Sequence, residues 1–257
     1  HVAKVAVALL VMLASRLPPV HADTYYVSTQ GNDASDGRGE QTAWRTVAYA
    51  AEAARAGDTV LVLPGEYVGE EVIFANSGEE GRPLTMEGRG GAPVLDGRDQ
   101  TGTGILIASK SHLVLRNLEL ANYARGIRVQ SSAHVSVERV TLRHMGTEKP
   151  SIGQGISFAQ AQHCVVRDCR VSNCNLHDLY FANQSSQNLV EDCYLEIATG
   201  TPLSADYGIY TENSHHNLIR NCTIANIRPL VEGHHGHGIA LRLSSHHNQV
   251  ANCKSSD

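Results

Sequence analysis

Positive charge is in short supply in this chain of 257 residues. It carries 21 lysines and arginines against 26 aspartates and glutamates, a net charge of −5. That argues against a nucleic-acid partner, which calls for a basic surface. It leaves room for an acidic polysaccharide, because charge local to a groove counts for more than the total. Beyond the first 22 residues no run is long and apolar enough to cross a bilayer. Charged residues make up only 18 %, and with 42 % hydrophobic residues and 23 glycines the composition excludes a disordered chain and describes a folded, turn-rich one. Lysine is scarce too: Lys4, Lys110, Lys149 and Lys254 are the only four.

What the chain does have is a column of cysteines. Cys169, Cys193, Cys222 and Cys253 recur 24, 29 and 31 residues apart, in the slot that Leu118 and Val140 fill earlier. The repeat around them opens Gly-Ile at Gly104, Gly126, Gly155, Gly208 and Gly238, with Asp178-Leu179 in the remaining coil, and continues apolar at alternate positions. Thirteen or fourteen residues later stands Asn117, Arg139, Asp168, Asp192, Asn221 or Asn252, flanked by apolar residues. Each coil is therefore two or three short period-two strands joined by sharp turns, and Asn or Asp suits a left-handed turn residue. Stacked coils put parallel strands about 4.8 Å apart with like side chains in ladders, an all-β parallel β-helix. In this register the cysteine slot faces inward and the thiol acts as a small hydrophobe, the alternatives being disulfides, metal or redox use. Cys164 falls in another inward slot beside Leu113 and Val135, and Cys174 in a loop.

Residues 1–22 have the shape of a secretory signal peptide: Lys4, the apolar run Val5 to Ala14, and Val20-His21-Ala22 before the cut. The expected mature chain starts at Asp23, outside the cytoplasm, with a cap and first coils over 23–99 and coils over 100–257. The chain begins with His and stops at Asp257 partway through the sixth coil, so a fragment truncated at its C-terminus is expected.

After the leader come Tyr25-Tyr26-Val27-Ser28, a turn-rich stretch to Gly39, and Ala43-Trp44-Arg45-Thr46. A short Ala-rich helix over Thr46 to Ala56 follows, stopped by Gly57, then a strand and tight turn to Tyr67. A helix here would cap the open end of the solenoid. The segments YYVSTQGND and AWRTVAYAAEAARAGDTVLVLPGEY resemble the N-terminal region of right-handed parallel β-helix polysaccharide lyases of the chondroitinase B, alginate lyase and exo-pectate lyase type. The resemblance covers residues 25–67 closely and 100–257 as generic coils. It implies a right-handed, pectin lyase-like fold and action on polysaccharide. Chondroitinase B-type lyases use a lysine base with calcium bridging the sugar carboxylate. Here none of the four lysines falls in the strip described next, so that mechanism does not carry over directly.

Insertion lengths locate a groove. Between coils lie 5 residues (121–125), 12 (143–154), 6 (172–177), 12 (196–207) and 13 (225–237), the long ones leaving one corner. Bordering it stand Arg125, Gln154, His177, Tyr207 and His237, then outward Arg128, Tyr180 and Tyr210, then Glu212 and Arg242, with Asp178, Asp206 and His235 nearby. Lyase chemistry needs exactly such types: a cation to neutralise the uronate carboxylate, a base for the neighbouring proton, an acid for the leaving oxygen. His177 or His237 is the expected base, Tyr180 or Tyr210 the acid, and Arg128 or Arg242 the neutraliser. His and Tyr would need pKa values moved toward neutrality. Arg125, Asp178, Asp206, Tyr207, Glu212 and His235 are expected to touch substrate. Asp178, Asp206 and Glu212 are the oxygen ligands calcium (Ca2+) would use, without a contiguous ligand loop. The pair His177-Asp178 is similar to the His-Asp of β-helical mannuronan epimerases.

His112, His134, His163, His216 and His247 share one column, with Gln187 in the remaining coil, and read as stacked turn residues; Asn188, Asn217 and Asn248 read as an amide ladder. His234-His235-Gly236-His237 is the cluster expected for a transition metal, if any. A hydrolase would need paired carboxylates, for which Asp178 and Asp206 are the nominees. The expectation is a secreted β-helix lyase of an acidic polysaccharide of the alginate, pectate or glycosaminoglycan class. The alternatives are a glycan-binding or adhesin β-helix without catalysis, a glycoside hydrolase, or a uronate epimerase.

Overall fold

The computed structural model describes residues 22–98, 101–146, 153–196, 207–227 and 236–256. Among them, 24 strands form three parallel sheets. Sheet A has nine strands, from Thr24–Val27 to Gln249–Ala251; sheet B has eight, from Glu66–Val68 to Lys254–Ser256; sheet C has seven, from Val72–Ile73 to His237–Arg242. Each full coil contributes one strand to each sheet, so the coil has three strands rather than two. The register is strict, as in Ile105↔Ile127↔Ile156↔Leu179↔Ile209↔Ile239 up sheet C. Those residues point inward, and with Val137, Val166, Val190 and Ile219 of sheet A and Leu142, Val171, Leu195 and Ile224 of sheet B they form one continuous apolar core.

The corners are made by left-handed backbone. Asn117, Arg139, Asp168, Asp192, Asn221 and Asn252 have φ between 50° and 56°, and the histidine column with Gln187 between 54° and 58°. A side chain in this region costs energy unless it is short and polar or bonded locally. Arg139 meets the condition by donating from Nε to Asn117 Oδ1 at 2.9 Å. Asn188, Asn217 and Asn248 form a chain of amides in which each Nδ2 donates to the next Oδ1, at 2.9 and 3.0 Å. The same oxygens accept the backbone N–H of Asn188 and Asn217. All six cysteines are free thiols; five are buried, and Cys253 is partly so. Cys174 follows the strand Arg170–Ser172 as a loop residue, as expected, and its thiol is wholly buried in the core.

The cap helix, α1, spans Val47–Ala53, shorter at both ends than the sequence suggests. Thr46 is its N-cap, accepting from the Tyr49 N–H. Its C-terminus stops because the N–H of Arg55 turns to Asp58 Oδ2 at 2.8 Å, leaving Ala54 extended. Asp33 ties the preceding turn to the helix through the N–H groups of Arg45 and Thr46 and the Thr46 hydroxyl. Val47, Ala50 and Ala51 are buried against the first coils. No helix among the described residues is long and apolar enough to cross a membrane. The proposed leader, apart from Ala22, lies outside the described residues.

Candidate functional site

The outer face of sheet C carries three columns. The first runs Thr103, Arg125, Gln154, His177, Tyr207, His237, and the second Leu106, Arg128, Ser157, Tyr180, Tyr210, Ala240. The third ends in Glu212↔Arg242. Period-two alternation puts the second and third columns outside because their neighbours Ile, Val, Leu and Phe are inside. The first column stands two residues before the inward Ile or Leu, where the alternation is broken, and His177 of that column lays its ring on Tyr180 and Tyr210 of the second. Most of the expected site residues therefore share one surface. It reaches from Arg125 to His237 across four inter-strand steps, about 19 Å.

The centre of the surface is aromatic. His177 stacks on Tyr180 and on Tyr210, each at 5.0 Å between ring centroids, and on Tyr207 at 5.6 Å; Tyr207 stacks on His237 at 5.4 Å. The rings cover one another, so that His177 is only 7 % exposed and Tyr210 only 8 %. Guanidinium groups flank the cluster. Arg242 Nη1 donates to the Tyr207 hydroxyl at 2.9 Å. At the other side Arg125 and Arg128 line a recess of about 190 Å³ with Gln154, Ser157, Tyr180 and Asn183. Ser157 carried a readable signal, the outward slot of its coil; Asn183 lies past the strand end and gave none.

Burial sets the protonation states. It pushes the His177 imidazole down to about 4, so the ring is neutral at neutral pH. It pushes the Tyr180 phenol up to about 12, with the Glu212 charge adding to the effect. Tyr210 rises as well, through burial and then Glu212, opposed by Arg242. These shifts run away from neutrality, against the expectation that acid and base would be tuned toward it. The resulting states are a proton acceptor and two proton donors, each weaker than its free counterpart.

Asp178 is a correction. Its side chain takes the inward glycine slot, has no exposed surface, and lies by the Cys174 thiol beneath the sheet, so it cannot touch a ligand on the outer face. Burial holds its carboxyl well above the ordinary carboxylate range. With Asp178 turned inward, the calcium trio and the hydrolytic carboxylate pair do not assemble, and of those groups Glu212 alone faces the site among the described residues. Asp206 and His235 lie outside the described residues, as does most of the His234 to His237 cluster. The three long insertions leave sheet B for sheet C after Thr141–Arg143, Tyr194–Glu196 and Thr223–Ala225, and their middles also lie outside the described residues.

The model of the right-handed beta helix region matches residues 96–255. A curated relative, the uncharacterized protein YwoF of Bacillus subtilis (strain 168), is 27 % identical over 149 residues, 57 % of this chain and 28 % of that protein. The chain thus spans under a third of that relative's length. Among solved structures, a rhamnogalacturonan lyase superposes with a TM-score of 0.54 at 16 % identity, covering 80 % of this chain and 69 % of that one. An alginate lyase from Paenibacillus sp. str. FPU-7 gives 0.55 at 15 %, covering 82 % and 95 %. The GH136 lacto-N-biosidase from Eubacterium ramulus gives 0.61 at 13 %, covering 89 % and 56 %. At such identities these likenesses bear on the fold alone.

Proposed function

The chain belongs to the right-handed beta helix family, and from that premise we propose that it is a carbohydrate-active protein that cleaves an acidic polysaccharide by β-elimination on the outer face of sheet C. The observation that carries this reading is the flanking of a His and Tyr cluster by guanidinium groups on one continuous face, Arg125 and Arg128 to one side and Arg242 to the other. Solved neighbours named as lyases of rhamnogalacturonan, alginate and pectate add weight to the substrate class.

In the proposed reaction Arg128 or Arg242 pairs with the uronate carboxylate and stabilises the charge that builds up on it. His237, exposed at the end of the cluster, takes the proton from the ring carbon bearing that carboxylate. The bond from the next ring carbon to the leaving oxygen breaks, a carbon–carbon double bond forms, and a phenol, Tyr180 or Tyr210, protonates the oxygen. His177 is assigned to holding both phenols in place, since its own basicity is low. Arg125, Tyr207 and Glu212, with Asp206 and His235 outside the described residues, are proposed substrate contacts. The leader-like residues 1–22 support action outside the cytoplasm.

One observation favours a second reading, glycan binding without turnover: the shifts on His177, Tyr180 and Tyr210 weaken acid and base together. Mixing the protein with alginate, pectate and chondroitin and following the ultraviolet band of an unsaturated uronate separates the two. A band that His177→Ala, His237→Ala removes supports elimination. Saturable binding to the same polymers with no band and no new reducing ends supports the second reading.

A further inference from the structure

The histidine column at the corner between sheets C and A changes character along the solenoid. In the early coils it is a single file: His112 stacks on His134 at 4.7 Å and His134 on His163 at 5.1 Å. The residues just before these histidines are Ser111, Ala133 and Gln162. In the last two described coils that preceding position is histidine as well. His215 pairs with His246 in the parallel ladder and stacks on it at 3.8 Å, while His216 stacks on His247 at 4.8 Å. Four imidazoles thus make a two-by-two array, outside the candidate site on sheet C.

Consecutive residues of a strand point to opposite faces. The left-handed backbone of His216 and His247, φ 56° and 55°, breaks that alternation and turns neighbouring rings toward one another. As a result His246 Nδ1 and His247 Nδ1 face each other at 2.8 Å, and one ring nitrogen from each of His216, His246 and His247 lies within 4.8 Å of the others. Two neutral imidazole lone pairs at that separation repel unless a proton or a cation lies between or beside them. Beneath this trio the Nδ1 of His215 is enclosed without a hydrogen-bond partner, and its ring, stacked on His246, limits how that ligand can turn.

We propose that His216, His246 and His247 bind a late first-row divalent cation of the zinc class, with His215 as a positioning residue. Imidazole nitrogen suits zinc, copper and nickel, and three such ligands at metal–nitrogen distances of about 2.0–2.1 Å leave a coordination position for water. All three rings are exposed, so they are free to close the small remaining distance to one ion.

Zinc titration of the full chain by calorimetry tests this. The column itself supplies a mild substitution, because Gln187 occupies the same left-handed slot with φ 58°. His247→Gln and His216→Gln should each weaken zinc by about 10-fold or more, the scale reached even by partners one shell removed from a metal. His246→Gln should do the same, and His134→Gln, in the single file, should leave zinc affinity unchanged. Cobalt(II) in place of zinc should give a visible ligand-field band that His246→Gln, His247→Gln abolishes. The proposal is overturned if the chain takes up no stoichiometric zinc. It is equally overturned if the double variant, folded by circular dichroism, binds zinc as the parent does, which would place the metal on other histidines.

Discussion

The carboxyl of Asp178 lies against the thiol of Cys174 inside the coil, both groups wholly enclosed. The five equivalent positions in the other coils are glycine, and a Cβ built on Gly155 would come within 2.5 Å of Asp178's carbonyl oxygen and of Val171. Asp178 therefore puts a polar side chain where the other coils have none, and neither carboxyl oxygen makes a well-formed hydrogen bond.

Asp178→Gly should stabilise the fold by about 1–2 kcal/mol near neutral pH, the burial penalty removed less the entropy cost of glycine. The folded-state pKa lies above the unfolded one, so the gain should be small near pH 4 and grow as pH rises. Urea midpoints of parent and variant across that range measure it; a variant less stable at every pH would mean the carboxyl has a partner worth more than its burial costs.

His177 should make the fold sensitive to acid. Its folded pKa is depressed to about 4 from an ordinary value of 6.5, so its contribution is fully present above 6.5 and is lost as pH falls toward 4. The loss should amount to about 3 kcal/mol. His177→Phe keeps an aromatic ring in the stack and should flatten this limb of the stability profile, which thermal melts between pH 4 and 7 would reveal.

Asn217 serves both neighbouring coils. Its Oδ1 accepts from the Asn188 N–H and Nδ2, and its Nδ2 donates to Ser185 O and Asn248 Oδ1. Asn217→Ala leaves these buried groups unpaired and should cost about 2–4 kcal/mol. The drop should be visible as a lower urea midpoint, and hydrogen exchange at the Asn188 amide should speed up with it.

Arg128→Ala should leave stability within about 0.5 kcal/mol, as expected for a surface site. On the proposed reading it should lower turnover of a uronate polymer by about 10²-fold, the loss typical of a removed charge stabiliser. Unchanged turnover, with Arg242→Ala also silent, would move the site off sheet C.

Much of the fold was legible because each coil repeats one physical problem. Asn117, Asp168 and Asn221 announced left-handed corners, and Cys169, Cys193 and Cys222 announced an inward column by replacing Leu118 and Val140. The outward columns of Arg128, Tyr180 and Tyr210 and of Glu212 and Arg242 follow from alternation with the inward residues, and that of Arg125 and His177 from its place just before each coil start. Asp178 was misplaced because a turn-favouring carboxylate beside His177 reads as a site residue, and nothing local says that its slot faces the core. The pKa directions were hidden as well, since they depend on how completely Tyr180, Tyr207 and Tyr210 cover His177. The two-by-two imidazole array is not legible in the column alone, because His215 and His246 stand one position before it and meet its rings only through the left-handed backbone of His216 and His247.

The strict register of sheet C makes its outer face a ruler. Backbone positions on it are separated by whole strand steps of about 4.8 Å, so the strands that carry Arg128 and Arg242 stand four steps apart, and only the reach of the two side chains adjusts the distance between their charges. A flexible polyanion laid along the face would be sorted by whether its charges keep that pitch. Removing one whole coil, rather than any single residue, is the change that would reset the spacing it selects.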